Sequence, residues 1–554
     1  MNLDNHIKTL LALVLVAVLL QGCKNGNSSN ADESSLTSIF TPNKFDVDAL
    51  QTLLKDKLDS NVVMSTMTFF GKPDSNVKIY QQFYASTDYK SVWLHQKGLS
   101  TIAKQFLQVL DSLKYDALNP DKYYFTNLKQ RTISILNEKN MDSIMQFELD
   151  MTSAFFAASK DLALGSNRLL KINKDWKCKN DTLFNESELL KKCAEGMSIT
   201  AAFESIRPNH PWYKKFKDEY CKLLNNNLSD SVSTITDLRD SIAIGFNSPS
   251  VAILRKKIHR EVGIPTDTLS AIWAEDLLEA VKRFQFKNQI KQTGKIDTAT
   301  MTALKTKKDD KIKKLAINME RFRWMHHEFK QPFIWVNVPK MELDYYDKDS
   351  VEFNMRVVVG KISRKTPTLD AKIENIVFSP PWNVPETIMR EEVVPGISRR
   401  GGSYLSRRGL RATDSRGRPV NPSVINSSNY RRFNISQAPG YRSSLGEVKF
   451  NMPNPWAIYL HDTPHREDFV KDYRAYSSGC IRVHKPKEFA EFLIQDASLY
   501  SYNKIDSICK MRRTISYPMK REIAVHIVYL TNGIDSNGNI MYLKDVYGWD
   551  KNMN

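Results

Sequence analysis

Apolar positions along this chain keep a helical period up to about residue 310 and a period of two beyond it. Ile102, Phe106, Leu107, Leu110 and Leu113 fall on one helix face, and Phe147, Met151, Phe155, Ala158 and Leu162 make a second stripe within 147–164, the mark of helices with one buried side. Asn119-Pro120 punctuates a turn between them. A helical scaffold is expected over 46–246, and nothing in it stands out as catalytic. From 247 to 308, Val251, Leu254 and Ile258 share one helical face and Leu278, Val281 and Phe284 another. A Gly294 turn then leads through Ile296-Asp297 into a short helix with Thr300 and Leu304. Lys305 to Lys314 reads as a charged link. After it, 333–338, 353–359 and 373–378 alternate with β-branched and aromatic residues, which predicts strands. Further strands are expected at 456–461, 481–483, 523–530 and 540–544, with Asn537-Gly538 in a loop between the last two. An antiparallel sandwich packs so many strands naturally. The alternation breaks over 385–450, where Pro395, Gly401-Gly402, Pro419 and Pro422 accompany Arg399, Arg400, Arg407, Arg408 and Arg411. An insertion of that length in a compact domain is usually functional. A lid is expected, its arginines either meeting carboxylates or forming plain surface charge.

The first residues add an address. Leu10 to Leu20 is uninterrupted apolar sequence, about half the ~20 residues that a spanning helix needs. It follows Lys8, ends at Leu20-Gln21-Gly22-Cys23 and passes into a polar stretch, Lys24 to Ser35. This resembles a bacterial lipoprotein signal. The resemblance implies removal of 1–22, acylation of Cys23, a tether over 23–45 and anchorage in the cell envelope. An ordinary secretory signal with a chance cysteine is the alternative, and both imply export.

Composition narrows the partners. The 554 residues suggest about three or four units, and 41% apolar with 26% charged residues describes a folded, non-membrane chain. The net charge of +18 suits nucleic acid, an anionic membrane or an acidic polymer. Export removes most nucleic-acid roles and no nucleic-acid-binding motif is present, which leaves an envelope polymer, a lipid surface or simply a solvated basic face. The six cysteines are Cys23, Cys178, Cys193, Cys221, Cys480 and Cys509. Cys178 and Cys193 are close enough in sequence to pair in an oxidising compartment, and connectivity is open. None has metal-ligand spacing, so neither a metal nor a cofactor is expected.

Candidate chemistry is concentrated between Trp456 and Val483. There Tyr459-Leu460-His461-Asp462-Thr463-Pro464 precedes Ser477-Ser478-Gly479-Cys480-Ile481-Arg482-Val483. A lone cysteine is more often a small buried hydrophobe than a nucleophile. Here Cys480 follows small residues that let backbone N–H groups approach a substrate. His461 ends an expected strand on the face of Tyr459, and Arg474 and Arg482 flank the thiol, where cations favour thiolate. A nucleophile and a base thus share one short window. His465 and His484 are near but fit no motif position.

These residues resemble the L,D-transpeptidases with a YkuD-type catalytic domain, specifically the large YcbB-like subgroup. The likeness runs from about 75 to 550. His461-Asp462-Thr463, Arg474 and the run 477–483 carry it, with Pro380-Pro381-Trp382-Asn383-Val384-Pro385 before the lid. Gln437-Ala438-Pro439-Gly440, Leu445-Gly446, Val448-Lys449-Phe450 and Pro453-Asn454 follow it, and Phe83-Tyr84 and Val92-Trp93-Leu94 match the scaffold. Phe284-Gln285, Gly294, Asp297 and Thr300 make 247–308 similar to the small three-helix peptidoglycan-binding domain, or to a degenerate copy kept as a spacer. Many members of the wider family carry a second His where Ser478 stands.

The resemblance implies an α+β multidomain fold, with a helical scaffold, a peptidoglycan-binding domain over 247–308 and an antiparallel β-sandwich catalytic domain over 311–554 with its lid at 385–450. It implies that Cys480 is the nucleophile and His461 its base, and that backbone N–H groups at Gly479 and Cys480, with Ser478, hold the oxyanion. Tyr459 and Trp382 would line the donor site or simply pack, Arg482 would orient the donor or brace the loop, and Arg474 would contact the donor. The implied reaction joins peptidoglycan stem peptides in 3→3 cross-links, in the periplasm, from a membrane-anchored enzyme that carbapenem-type β-lactams acylate. L,D-carboxypeptidase activity or D-amino-acid exchange at the same thiol, a non-catalytic wall-binding lipoprotein, and a secreted cysteine protease are the alternatives.

Overall fold

The computed structural model describes residues 45–553, apart from 60–67, 71, 74–76, 179–183, 226–237, 239–241, 264–266 and 327–328. The expected signal, Cys23 and most of the tether lie outside the described residues. No helix among those described is long and apolar enough to cross a membrane.

Four apolar cores organise the chain. The first along the sequence is helical. Its stripe at 102–113 becomes the helix Thr101–Ser112, opened by the Ser100 hydroxyl accepting the Ala103 N–H and burying Phe106 and Leu110; such a cap is worth about 1 kcal/mol. The stripe at 147–164 lies in the longer helix Met141–Leu164. Its buried Glu148 accepts hydrogen bonds from Ser91 (2.6 Å) and the Val92 N–H (2.8 Å), so a carboxylate closes the loop that leads into Trp93.

This core ends at Ile206. The helix Pro211–Asn225, expected as scaffold, turns Trp212, Tyr213 and Phe216 into the core of the C-terminal domain. The two bodies are welded by Asp116, which is fully buried. It accepts from Arg207 through two nitrogens (both 2.9 Å), from Lys217 (2.9 Å) and from the Tyr213 hydroxyl (3.0 Å). Cys178 and Cys193 are free thiols in different cores, so the pairing left open by their spacing is not made.

The unit over 247–308 is three helices, Pro249–Val262, Glu275–Lys287 and Thr298–Leu304. Its motif residues hold it together from inside. Buried Gln285 donates to Thr300 Oγ1 (2.9 Å) and the Lys295 carbonyl (2.8 Å) and accepts the Gly294 N–H (2.8 Å). Gly294 has φ +70°, and a Cβ there would stand 2.4 Å from Leu278 Cδ1. The charged link is no linker: 308–323 forms the helix Lys308–Arg323, packed on Pro211–Asn225.

The C-terminal domain is built on a sheet of eleven strands. In chain order they are β1 (Phe333–Asn337), β2 (Glu342–Asp347), β3 (Ser350–Gly360), β4 (Leu369–Lys372), β5 (Asn375–Phe378), β6 (Val448–Asn451), β7 (Leu460–His461), β8 (Ala475–Ser477), β9 (Ile481–Val483), β10 (Ile515–Pro518) and β11 (Ala524–Val528). The spatial order is β10-β5-β6-β7-β9-β3-β2-β1-β11-β4, with β8 added beside β3. One apolar core draws on both ends of that order, as strands wrapped face to face require. The sheet is mainly antiparallel, but β7–β9, β8–β3 and β11–β1 are parallel. The alternation of apolar residues alone does not distinguish the two.

The expected lid is a small folded body. Short helices over 386–407 and a three-stranded sheet of 382–383, 434–437 and 410–413 close on their own core of Met389, Val393, Ile397, Tyr404, Leu410 and Ile435.

Candidate active site

Cys480 lies in the turn between β8 and β9, and the register of the sheet decides what it meets. In the parallel pair β7–β9, Leu460 stands opposite Ile481 and His461 opposite Arg482. The Ile481 N–H donates to the Tyr459 carbonyl (3.1 Å). Side chains alternate across a strand, so Tyr459, His461, Cys480 and Arg482 come out on one face. All four line a cleft of about 780 Å³ beneath the lid, with Trp382, Ser478 and Gly479.

The turn is held from below. Gly479 has φ +115°, a conformation that glycine adopts freely. Its carbonyl accepts from the buried Thr366 hydroxyl (2.8 Å), and its N–H donates to Ser477 Oγ (3.1 Å). Ser477 in turn donates to the Cys480 carbonyl (2.5 Å). The Gly479 N–H expected to face an oxyanion is therefore already engaged. The N–H of Cys480 makes no bond within the described residues.

His461 is buried, with Nδ1 2.5 Å from the Asp462 carbonyl. A carbonyl only accepts, so Nδ1 carries the proton and Nε2 keeps its lone pair. Burial, with Arg482 adding to it, lowers the imidazole to about 3. Burial pushes the Cys480 thiol above its ordinary range, while the N–H and hydroxyl of Tyr459, Lys449 and Arg482 work against it. The resting pair at neutral pH is thus thiol and imidazole, both uncharged. Such a site suits a proton that moves as the sulfur attacks, and an imidazole of low basicity releases it again readily.

Tyr459 packs edge-on to His461 (5.5 Å between ring centroids), and the Lys449 ammonium lies 4.3 Å above its ring. Trp382 lines the same cleft as Tyr459, so both aromatics named from sequence stand on the cleft wall. Arg482 pairs with Asp468 at 3.3 Å while lining the cleft. Arg474 goes elsewhere. Its buried guanidinium donates to the carbonyls of Val357 (3.1 Å), Met341 (2.9 Å), Lys471 (2.7 Å) and Asp472 (3.2 Å), bracing the strands, and it does not line the cleft.

Several participants carry no sequence signal of their own. Arg364 donates to Ser478 Oγ (2.9 Å) and pairs with Glu391 (2.6 Å) and Glu392 (2.8 Å), tying the nucleophile turn to the start of the lid. Thr366 belongs to the same loop. Lys449, in the Val448-Lys449-Phe450 run, sits opposite His461 in the β6–β7 register, which its place in that run foreshadowed without assigning a role. Asp462 is buried under the Arg466 guanidinium (3.0 Å) and accepts the Glu447 N–H (2.9 Å). Beside it, a Cβ on Gly446 would stand 2.4 Å from its Cγ, so the turn can carry only glycine.

Comparison with known proteins finds matches along most of the chain. Residues 78–219 match a family model described as "Scaffold domain", 247–304 match "Putative peptidoglycan binding domain", and 331–499 match "L,D-transpeptidase catalytic domain" (YkuD). A Haemophilus influenzae protein named "Putative L,D-transpeptidase" is 34% identical over 290 residues, which span 52% of this chain and 58% of that relative. Among solved structures, the Ldtfm–avibactam carbamoyl enzyme aligns at 11% identity and TM-score 0.18, over 53% of this chain and 96% of the other. A cysteine-to-serine mutant of the Enterococcus faecium L,D-transpeptidase aligns at 10% and 0.19, over 53% and 98%. Residues 331–499, which carry β1 to β9 and the cysteine turn, are recognised as an L,D-transpeptidase catalytic domain of the YkuD type, behind regions that match a scaffold domain and a putative peptidoglycan-binding domain.

Proposed function

We propose that the protein is a peptidoglycan L,D-transpeptidase that forms 3→3 cross-links through a thioester on Cys480. The observation that carries this is the thiol at a glycine turn and a buried imidazole anchored through Nδ1, both lining one cleft under a lid. Cys480 Sγ attacks the carbonyl between the third residue of a tetrapeptide stem and its terminal D-alanine, and its proton passes to His461 Nε2. The oxyanion is met by the Cys480 N–H, with Ser478 beside it. One such donor is worth about 3 kcal/mol in acyl transfer. As the tetrahedral intermediate collapses, the C–N bond breaks and the imidazolium proton leaves with D-alanine. The side-chain amine of a neighbouring stem then attacks the thioester, forms the new amide and returns the thiol. Carbapenem-type β-lactams acylate the same sulfur. Tyr459, Trp382 and Arg482 form the donor wall.

The full-length protein is incubated with a purified disaccharide-tetrapeptide, and products are read by mass spectrometry. A dimer lacking one D-alanine is expected. Tripeptide monomer alone would replace transfer by carboxypeptidase action, and intact substrate with no thioester on a folded protein would leave a wall-binding lipoprotein.

The expected anchor fits an enzyme that works on the wall from the periplasmic face of a membrane. Cys23→Ser should move the protein from the membrane pellet to the soluble fraction, and unchanged partitioning would refute the anchor.

A further inference from the structure

Part of the cleft wall comes from outside the transpeptidase domain. The scaffold chain makes an excursion at 175–178, where its residues alternate as it crosses the C-terminal domain. Trp176 and Cys178 enter that domain's core, Trp176 edge-on to Trp324 at 5.3 Å and Cys178 donating to the Ile527 carbonyl at 3.5 Å. Asp175 and Lys177, between them in phase, line the cleft that holds Cys480. The Lys177 N–H is pinned by the buried Thr368 hydroxyl at 2.8 Å, so the position of this residue is fixed by the fold.

The charges on this side of the cleft are unevenly matched. Arg364 is paired with Glu391 and Glu392, and Lys365 with Asp175 at 3.4 Å. Lys177 is half-buried and has no carboxylate partner among the described residues. A half-buried lysine with its backbone held in place and no carboxylate partner among the described residues favours an anionic group on a ligand in that cleft. We infer that the scaffold segment 175–178 builds a carboxylate-binding subsite into the cleft, with Lys177, seconded by Lys365, taking a carboxylate of the donor peptide outside the scissile bond. This rests on the transfer reaction proposed above and names a specificity residue for it. The scaffold is on this account part of the substrate site as well as a spacer.

The test uses full-length wild type, Lys177→Glu, Lys177→Met and Lys177→Arg with two donors: the disaccharide-tetrapeptide, and the same muropeptide with its non-terminal carboxylates amidated. For the free-carboxylate donor, Lys177→Glu and Lys177→Met should raise KM by about tenfold, the scale of one charge-assisted contact. Their kcat and the rate of Cys480 alkylation by iodoacetamide should stay at wild-type levels, and Lys177→Arg should retain most of the affinity. On the amidated donor the variants should match wild type. An unchanged KM, or an equal rise on both donors, overturns the subsite. Failure of wild type to turn over either donor overturns the transfer reading itself. Lys177→Met keeps the aliphatic stem and serves if Lys177→Glu does not fold.

Discussion

Cys480→Ala should yield a folded protein that forms no thioester with tetrapeptide donor or carbapenem, and whose transfer rate falls by a factor on the order of 10³ or more. The size follows from the chemistry. Removing the sulfur removes the bond that holds the acyl group between donor and acceptor, and among the described residues no second thiol lines the cleft. Cys178, Cys193 and Cys509 are buried in cores and Cys221 lies in the helix Pro211–Asn225. Folding should survive, because the Gly479 turn is held by Thr366 and Ser477 and not by the thiol. Intact-mass spectrometry after carbapenem treatment decides it: stoichiometric adduct on the alanine variant would remove Cys480 from the role.

Asp116→Ala carries the largest expected loss of stability, about 3–5 kcal/mol, the scale for leaving buried charges without their partner. Arg207, Lys217 and Tyr213 all converge on this carboxylate. Burial alone would raise its pKa, yet the hydrogen bonds and charges of Arg207 and Lys217 outweigh that and hold it below the ordinary value. A carboxylate depressed in the fold stabilises above its unfolded pKa and ceases to as pH falls through the folded one. Wild type should therefore lose this contribution on acidification below about pH 4. Asp116→Asn should be destabilised at neutral pH and show a shallower acid limb. Denaturant unfolding between pH 3 and 7 checks both, and parallel curves for wild type and Asp116→Asn would contradict the assignment.

What was legible in the sequence was what burial of apolar side chains writes into it. The stripes around Phe106 and Phe155 are helices and the alternation at 333–337 is a strand, because their buried faces are hydrocarbon. The first turns of the helix Lys308–Arg323 fell within the charged link read over 305–314 for the opposite reason: Lys311 is buried against Glu261 and Lys314 donates to the Leu543 carbonyl (2.6 Å), and further along Arg321 pairs with Asp550 (2.7 Å) and Arg323 with Glu320 (2.6 Å). Periodicity of apolar residues is blind to a helix buried by its charges. Strand β2 was missed similarly, since Asp344 sits buried in it beside Lys340. At the site, nearness in sequence brought Cys480 and His461 to attention, and the sheet register places them on one face. The same nearness misled for Arg474, whose place just before β8 aims it at carbonyls behind the sheet. It gave no hint of Lys177 and Arg364, which reach the cleft only through the fold, or of Thr366, which holds the turn from beneath.

The passage of 175–178 through the transpeptidase core has a consequence for how the chain is made. The contact between Cys178 and the Ile527 carbonyl spans 349 positions. Trp212 packs on Trp335 and Phe216 on Phe322, both made later in the chain, whereas the first helical core closes by Ile206. Contacts so distant in sequence form slowly, because the intervening loop must be closed before they give anything back. As the polypeptide emerges from its N-terminus, the first body can settle early, but Cys178, within its span, stays unsheltered until nearly the last strand arrives. The two halves mature on separate clocks, and the earlier one carries the later one's missing piece.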